Sequence, residues 1–381
     1  MTTAYIVDAV RTPIGLGKAG GGLNGVRPDV LAAAPIRALV ERTGVDPAAI
    51  EDVVLGCVTQ VGEQGLNIGR NAALIAGLPC DVTGTSVNRM CGSSQQALNF
   101  AAMGVASGFQ DLVIAGGVES MSRVPMGSDM MLNGEPATIA PEMSWRYTIV
   151  PQGISAELVA KRFGLTRAEL DAFSLESHRR AAAAQDAGWF DREIVPVGAC
   201  ARDEGIRRDT SLERLGKLKP AFQGDGVITA GSSSQISDGA AAVLLASERA
   251  VKRYGLRPRA KIVAMATAGV DPTIMLTGPI PATRKALAQA GLGVGDVDAV
   301  EMNEAFASVV VGCGRALEMD FAKVNVHGGA IALGHPLGAS GARLCATLLG
   351  VLDHTGGRRG LLTMCIGFGQ GIATIVERVD A

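Results

Sequence analysis

An α/β fold made of two similar halves, with a separate segment set between them, is what this sequence predicts. Three observations carry the expectation. Short strand-like runs alternate with helical runs along the whole chain, the pattern of layered α/β proteins. A set of positions recurs at one common offset: Arg37 with Arg284, Gly44 with Gly291, Ile50 with Val297 and Val53 with Val300. Glycine supplies 50 of 381 residues, nearly double the usual ~7%, yet hydrophobic residues reach 48% and aromatics only 4%. Neither a fibre nor a disordered chain has that composition. Backbone running close to backbone and ligand, in an interior of Ala, Val, Leu and Ile, does.

Strands are predicted at 4–7, 52–55, 112–115, 261–264, 299–302, 361–364 and 372–377, each a short apolar run. A helix is predicted over 29–43, stopped by Gly44, and another over 283–290, stopped by Gly291. These two helices carry the repeat, and the strands at 112–115 and 361–364 recur at nearly the same offset. A further helix opens near Ser93 or Ser94. Its continuation, 97–106, is apolar on nearly every side and is predicted to be buried. Between the halves lies 122–236. It begins with irregular Met-, Pro- and Gly-rich sequence, followed by a charged helical hairpin over 154–187 in which Thr166 caps 167–187. Basic residues then cluster at Arg207, Arg208, Arg214, Lys217 and Lys219, and the segment reads as an inserted cap or lid.

Several function classes drop out. Lys and Arg number 35 against 37 Asp and Glu, a net charge of −2 that gives no bulk attraction for nucleic acid or a membrane surface. No apolar run approaches the ~18 residues that suggest a membrane span. The first ten residues enter a strand pattern at once, leaving no room for a signal peptide, and Val379-Asp380-Ala381 is not a peroxisomal tripeptide. Seven cysteines without a secretion signal point to reduced thiols and a cytoplasmic protein. They form no C-x-x-C, and the four histidines form no H-x-x-x-H, so no metal site is predicted. Gly15-Leu-Gly17-Lys-Ala-Gly20 matches G-x-G-x-x-G, but no helix opens on it and no dinucleotide site is expected.

Four segments can carry chemistry. In Ser86-Val-Asn-Arg-Met-Cys91-Gly, a strand-like stretch ends at Met90 and Cys91 stands just before a central helix. The helix dipole there favours a thiolate; an inert buried cysteine is the competing reading. The glycine-rich run from Val326 to Arg343 holds His335 between Gly334 and Pro336, on a rigid turn, with His327 nearby. Leu361-Leu-Thr-Met-Cys365-Ile-Gly367 ends a strand in a second cysteine and a turn whose backbone N–H groups could face an oxyanion. Asn303 and Glu304 follow another strand, where they could orient a water or a histidine, or cap the next helix.

Together with Arg11-Thr-Pro-Ile-Gly15, Thr229-Ala-Gly231, Asp238-Gly-Ala-Ala241 and Gly278-Pro-Ile-Pro281, these segments resemble the thiolase family over nearly the whole chain. The resemblance implies a five-layered αβαβα core from two duplicated halves, 1–121 with 237–256 and 257–381, and an inserted loop domain at 122–236. It implies an acyltransferase that moves an acyl group between coenzyme A and the α-carbon of acetyl-CoA. Cys91 matches the nucleophile, His335 its base, and Cys365 the second acid/base cysteine. Asn303 matches the residue that holds a water which, with His335, makes one oxyanion hole; the N–H groups of Cys91 and Gly367 match the other. Arg207, Ala230, Ser234, Met275, Ala305 and Phe306 match the coenzyme A channel.

No permanent cofactor and no metal are implied. The partners are acyl-CoA and coenzyme A, without nucleic acid or membrane, in a homodimer or homotetramer. Degradative thiolysis of 3-ketoacyl-CoA is favoured by Cys91-Gly-Ser-Ser-Gln-Gln, Gly62-Glu-Gln64 and the run 233–237. Acetoacetyl-CoA formation from two acetyl-CoA is the alternative, and a non-catalytic acyl-CoA-binding relative the third reading. Two departures bear on the acyl pocket: Phe368 and Gln370 interrupt the family's Cys-Ile-Gly-Gly-Gly-Met-Gly turn, and Leu276 stands where many members carry glycine.

Overall fold

The computed structural model describes residues 2–136 and 139–379, so Met1 and two residues of the C-terminal tripeptide, Asp380 and Ala381, lie outside it. Nine strands are used below: β1 (Ala4–Arg11), β2 (Asp52–Gly56), β3 (Thr83–Val87), β4 (Leu112–Ser120), β5 (Ser237–Ser247), β6 (Ala260–Gly269), β7 (Ala299–Met302), β8 (Arg359–Ile366) and β9 (Gln370–Arg378). They join side by side in the order β7-β8-β9-β6-β1-β5-β4-β2-β3, and Gly15–Leu16 adds a short tenth against β5.

The order contains the repeat. In the first half β2 pairs parallel with β4, β4 antiparallel with β5, and β5 antiparallel with β1. In the second half β7, β8, β9 and β6 repeat that pattern step for step. Even the outer strand β3, parallel to β2, has a remnant counterpart in a parallel bridge from Val300 to Val324. The halves meet where β1 and β6 pair over only two positions.

Helices complete the layers: α1 (Pro28–Thr43), α2 (Ile68–Ile75), α3 (Ser93–Ala106), α4 (Gln152–Arg162), α5 (Arg167–Asp186), α6 (Pro279–Ala290), α7 (Ala307–Ala316) and α8 (Ser340–Thr355). The matching helices α1 and α6 are punctuated alike. Each opens on a proline and ends at a left-handed glycine, Gly44 at φ 65° and Gly291 at φ 65°. Helix α5 starts with the Thr166–Glu169 capping box.

Three apolar clusters separate five layers. Val53 and Leu55 of β2 meet α1 and α2 in the first cluster. Val54, with Leu362 and Met364 of β8, meets α3 and α8 in the second. Leu361 and Cys365 meet α6 and α7 in the third, which also takes in Ala156 and Val159 of α4. Strand alternation therefore sends one face of each half-sheet to the central helix pair and the other to an outer helix layer.

All seven predicted strands are present, several of them longer than expected. One long strand, β5, escaped the sequence pattern. β5 is Ala-rich and buried along its full length, so it shows no period of two, and its composition has little β preference. β3 is the strand-like stretch expected before Cys91; it is short, largely uncovered, and ends at Val87 rather than Met90. The prediction of a fully buried α3 needs correction: Phe100 and Met103 are 46% and 47% exposed, on a face no other layer covers.

Candidate active site

Three of the four chemical segments arrive from separate strand ends, and the fourth from a loop before a helix. Cys91 follows β3 through a tight turn in which Met90 holds φ 45°, a left-handed conformation that costs a non-glycine residue energy. Asn303 comes directly after β7, and Cys365 lies near the end of β8. His335 precedes α8. Its loop is drawn across to the first half-sheet because Gly338 can press against Cys57 and Val118, with its N–H donating 2.8 Å to Glu119. Glu119 is fully buried and also accepts from Val58, Thr59 and Gln64 at 2.8–3.1 Å, clamping the loop in place. Helices α3 and α8 then touch at their N-termini, where Ala342 N–H donates 3.0 Å to Ser94 Oγ.

His335 is buried and its hydrogen bonds define its tautomer. Ser340 Oγ donates to the Pro336 carbonyl at 2.9 Å, so it accepts from Nδ1–H at 2.6 Å. That leaves Nε2 unprotonated, and it accepts from Asn303 Nδ2 at 3.2 Å. Burial, with the charge of Arg343 adding to it, brings the imidazole down to about 3, so it is neutral at physiological pH. Asn303 Oδ1 is buried without a partner, an acceptor left over for a ligand or water.

Cys91 is buried, and desolvation lifts its thiol to about 11 against the N–H groups of Gly367 and Cys91 itself. The sequence-based expectation of a helix-stabilised thiolate is thus corrected. The first N–H groups of the turn are spent on Arg89 and Met90 carbonyls, and burial outweighs the dipole that remains. Cys365 is likewise raised well above the ordinary thiol range by burial, with Cys91 as a charged neighbour. At rest, then, Cys91 and Cys365 are thiols and His335 is a neutral imidazole.

Of the six channel residues, Arg207, Ala230 and Ser234 line one groove of about 420 Å³. Ala305 and Phe306 adjoin it, since Ser234 N–H donates 3.0 Å to the Ala305 carbonyl and Phe306 meets the groove's Phe222 edge-on at 5.8 Å. Met275 lies deeper, in the apolar cluster shared with Ala305 and Phe306, and not in the groove wall. The basic cluster separates. Arg208, Arg214 and Lys217 pair with Asp186, Asp209 and Glu213, while Arg207 forms no ion pair among the described residues. Leu16, Gly17 and Lys18, from the segment rejected as a dinucleotide loop, line the same groove.

Other residues fall elsewhere. His327 packs on Trp189 with ring centroids 4.8 Å apart, and Glu304 is tied to Ser177 and Asn325 as a structural acceptor. Leu276 is buried in the third apolar cluster, and Phe368 is 37% exposed at φ 60°. Ser340 and Glu119 were not singled out from the sequence. Ser340 sits within the His335 loop and could have been found there; Glu119 ends an apolar strand and gives no such signal. No group of His, Cys, Asp or Glu suited to a metal ion occurs among the described residues.

A fold of two duplicated halves, with Cys91, Cys365, Asn303 and His335 carried at strand ends and on a glycine-rich loop, has the architecture of a thiolase-type acyl-transferring enzyme. The thiolase N-terminal domain model matches residues 4–249 and the C-terminal domain model residues 256–378. The chain belongs to the thiolase family. It is 50% identical over 390 residues to the steroid 3-ketoacyl-CoA thiolase FadA6 of Mycobacterium tuberculosis, covering 100% of this chain and 95% of that protein. It is 49% identical over 405 residues to a beta-ketoadipyl-CoA thiolase of Acinetobacter baylyi, covering 100% of each. The crystal structure of the Bacillus anthracis acetyl-CoA acetyltransferase superposes with a TM-score of 0.91 at 38% identity, covering 100% of this chain and 99% of that one.

Proposed function

We propose that this thiolase acts as an acetyl-CoA C-acyltransferase, cleaving a 3-ketoacyl-CoA with coenzyme A to acetyl-CoA and a shortened acyl-CoA. The observation that carries the reading is a neutral, buried His335 whose unprotonated Nε2 accepts from Asn303 Nδ2 at 3.2 Å, with two buried thiols, Cys91 and Cys365, near enough to act on each other. His335 takes the Cys91 proton as sulfur attacks the 3-keto carbon. The oxyanion is met by N–H groups, and the α–β carbon bond then breaks. Cys365 gives its proton to the departing acetyl-CoA enolate. Coenzyme A next passes its thiol proton to the Cys365 thiolate and attacks the acyl group. Cys91 leaves as a thiolate and recovers its proton from His335. Atoms and protons return to the starting state.

The Cys91 and Gly367 N–H groups form one oxyanion hole in this scheme, and His335 with an Asn303-held water the other. Coenzyme A runs along the groove of Arg207, Ala230 and Ser234 toward Ala305, Phe306 and Met275; the unpaired guanidinium of Arg207 suits its phosphates. No permanent cofactor is needed. The domain assignment of 1–121 with 237–256, 122–236 and 257–381 follows the course of the chain, since β5 pairs with β1 and β4 after the insert. A homodimer or homotetramer is supported by the uncovered strand β3 beside Leu66, Phe100 and Met103, all exposed. A cytoplasmic setting suits the seven free cysteines, and no helix among the described residues is long and apolar enough to cross a membrane.

The test is covalent trapping. Incubation with a 3-ketoacyl-CoA is expected to add one acyl mass at Cys91, and Cys91→Ala is expected to abolish it. Retention of the added mass in that variant refutes the nucleophile. Turnover of acetoacetyl-CoA against longer 3-ketoacyl-CoAs separates C-acyltransferase from C-acetyltransferase activity.

A further inference from the structure

We propose that Gln152 is a further catalytic residue, whose side-chain N–H donates to the Cys91 sulfur and stabilises its thiolate as it forms and departs. This rests on Cys91 being the nucleophile. Gln152 is the first residue of α4, in the inserted segment, remote in sequence from every loop that builds the site.

Its backbone is held firmly. Ala156 and Val159 of α4 are fully buried, Ser308 Oγ donates 3.1 Å to the Ala156 carbonyl, and Glu157 accepts from Val227 and Ile228 N–H at 2.9 Å each. From that fixed start the carboxamide reaches over the Gly367 turn. A Cβ added to Gly367 would lie 3.3 Å from Gln152 Nε2 and 3.7 Å from Met90 Cγ, the residue before the nucleophile. Set against burial, the Gly367 N–H and the Gln152 side chain are among the groups that pull the Cys91 thiol back down.

Chemistry gives that contact a purpose. His335 is neutral at rest, so it offers the thiol no standing cation. The negative sulfur that appears on attack, and again when the acyl group leaves, must be met by N–H donors aimed at it. Two are backbone groups from the two halves. The third is a side chain from the insert, so each of the three parts of the chain contributes one donor. Gln152 is the one that substitution can remove.

The experiment measures the rate of Cys91 alkylation by iodoacetamide from pH 6 to 11, followed by the mass of the Cys91 peptide, in the full-length enzyme. Gln152→Met keeps the length and removes the donor; Gln152→Lys supplies a cationic donor. Gln152→Glu is isosteric and serves if the methionine variant fails to fold. Loss of a donor to a charged acceptor is expected to raise the apparent pKa by about one unit, an approximately tenfold slower alkylation at pH 8. The lysine variant should alkylate faster than the parent, and the glutamate variant slower. A merely structural role would move the lysine and methionine variants in the same direction. That outcome, or superimposable profiles for parent and Gln152→Met, overturns the proposal. Acyl-enzyme formation by the parent is scored separately, so failure of the thiolase reading is distinguishable from failure of this one.

Discussion

Replacing Gly341 by alanine tests the central layer and the site together. Gly341 lies in the first turn of α8, against the N-terminal turn of α3. A methyl group there would stand 2.5 Å from Gln95 Cβ and 2.7 Å from Gln95 Cα. Ordinary carbon contacts are ~3.5–4.0 Å, so the helices must separate by about 1 Å. These are backbone and near-backbone atoms that cannot rotate away. Overpacking of this kind costs ~1–3 kcal/mol, and the upper end applies here. The better helix propensity of alanine returns ~1 kcal/mol, leaving a loss of about 2 kcal/mol. The same separation moves His335, which precedes α8, away from Cys91, which precedes α3. A displacement near 1 Å is expected to slow turnover by about a hundredfold. Gly350, on the same helix, is the control: its added methyl meets only Glu193 Oε2 at 3.5 Å. Gly350→Ala should gain up to ~1 kcal/mol with unchanged turnover. Urea unfolding midpoints and initial thiolysis rates measure both. The reasoning fails if Gly341→Ala matches the parent in both assays, or if the two alanine variants lose stability alike.

Three further outcomes follow from the geometry. Asn303→Ala removes the donor to His335 Nε2 and should lower kcat by about a hundredfold, with the unfolding midpoint measured alongside to separate chemistry from stability. Because His335 sits at about 3 and Cys91 at about 11, Cys91 alkylation should climb steadily from pH 6 to 10, and a step near pH 6.5 would contradict a neutral buried imidazole. Hydrogen bonding to Lys261, together with Arg359 and the nearby charge of Arg358, holds the Glu377 carboxyl at about 2. Its contribution to stability should therefore be complete above about pH 4.5 and lost as pH falls toward 2; Glu377→Gln should flatten that part of an acid-unfolding curve.

Much of the fold was legible because local signals and tertiary demands coincide. Proline at the start and glycine at the end of α1 and α6 are conformational necessities, and their recurrence at one offset exposed the duplication before any contact was known. Cys91, His335, Cys365 and Asn303 stand out as candidates because each lies at a strand end or on a glycine-rich turn. β5 was not readable, since an alanine run buried on both faces carries neither alternation nor β preference. The state of Cys91 was also misjudged. The sequence places it before a helix, but only packing decides that desolvation exceeds the helix field.

The sequence by itself therefore determined the class of fold and the duplication, and it singled out the candidate reacting groups. These depend on backbone geometry and side-chain type within a few residues. Tertiary structure decided the rest. It chose which ring nitrogen of His335 is unprotonated, by placing Ser340 five residues beyond it and Asn303 opposite. It grouped Arg207, Ala230 and Ser234 into one groove and left Met275 behind it. It brought Gln152 from the insert to the Gly367 turn, beside Met90. Desolvation, and contacts between residues far apart in the chain, belong to the packed molecule and have no local trace.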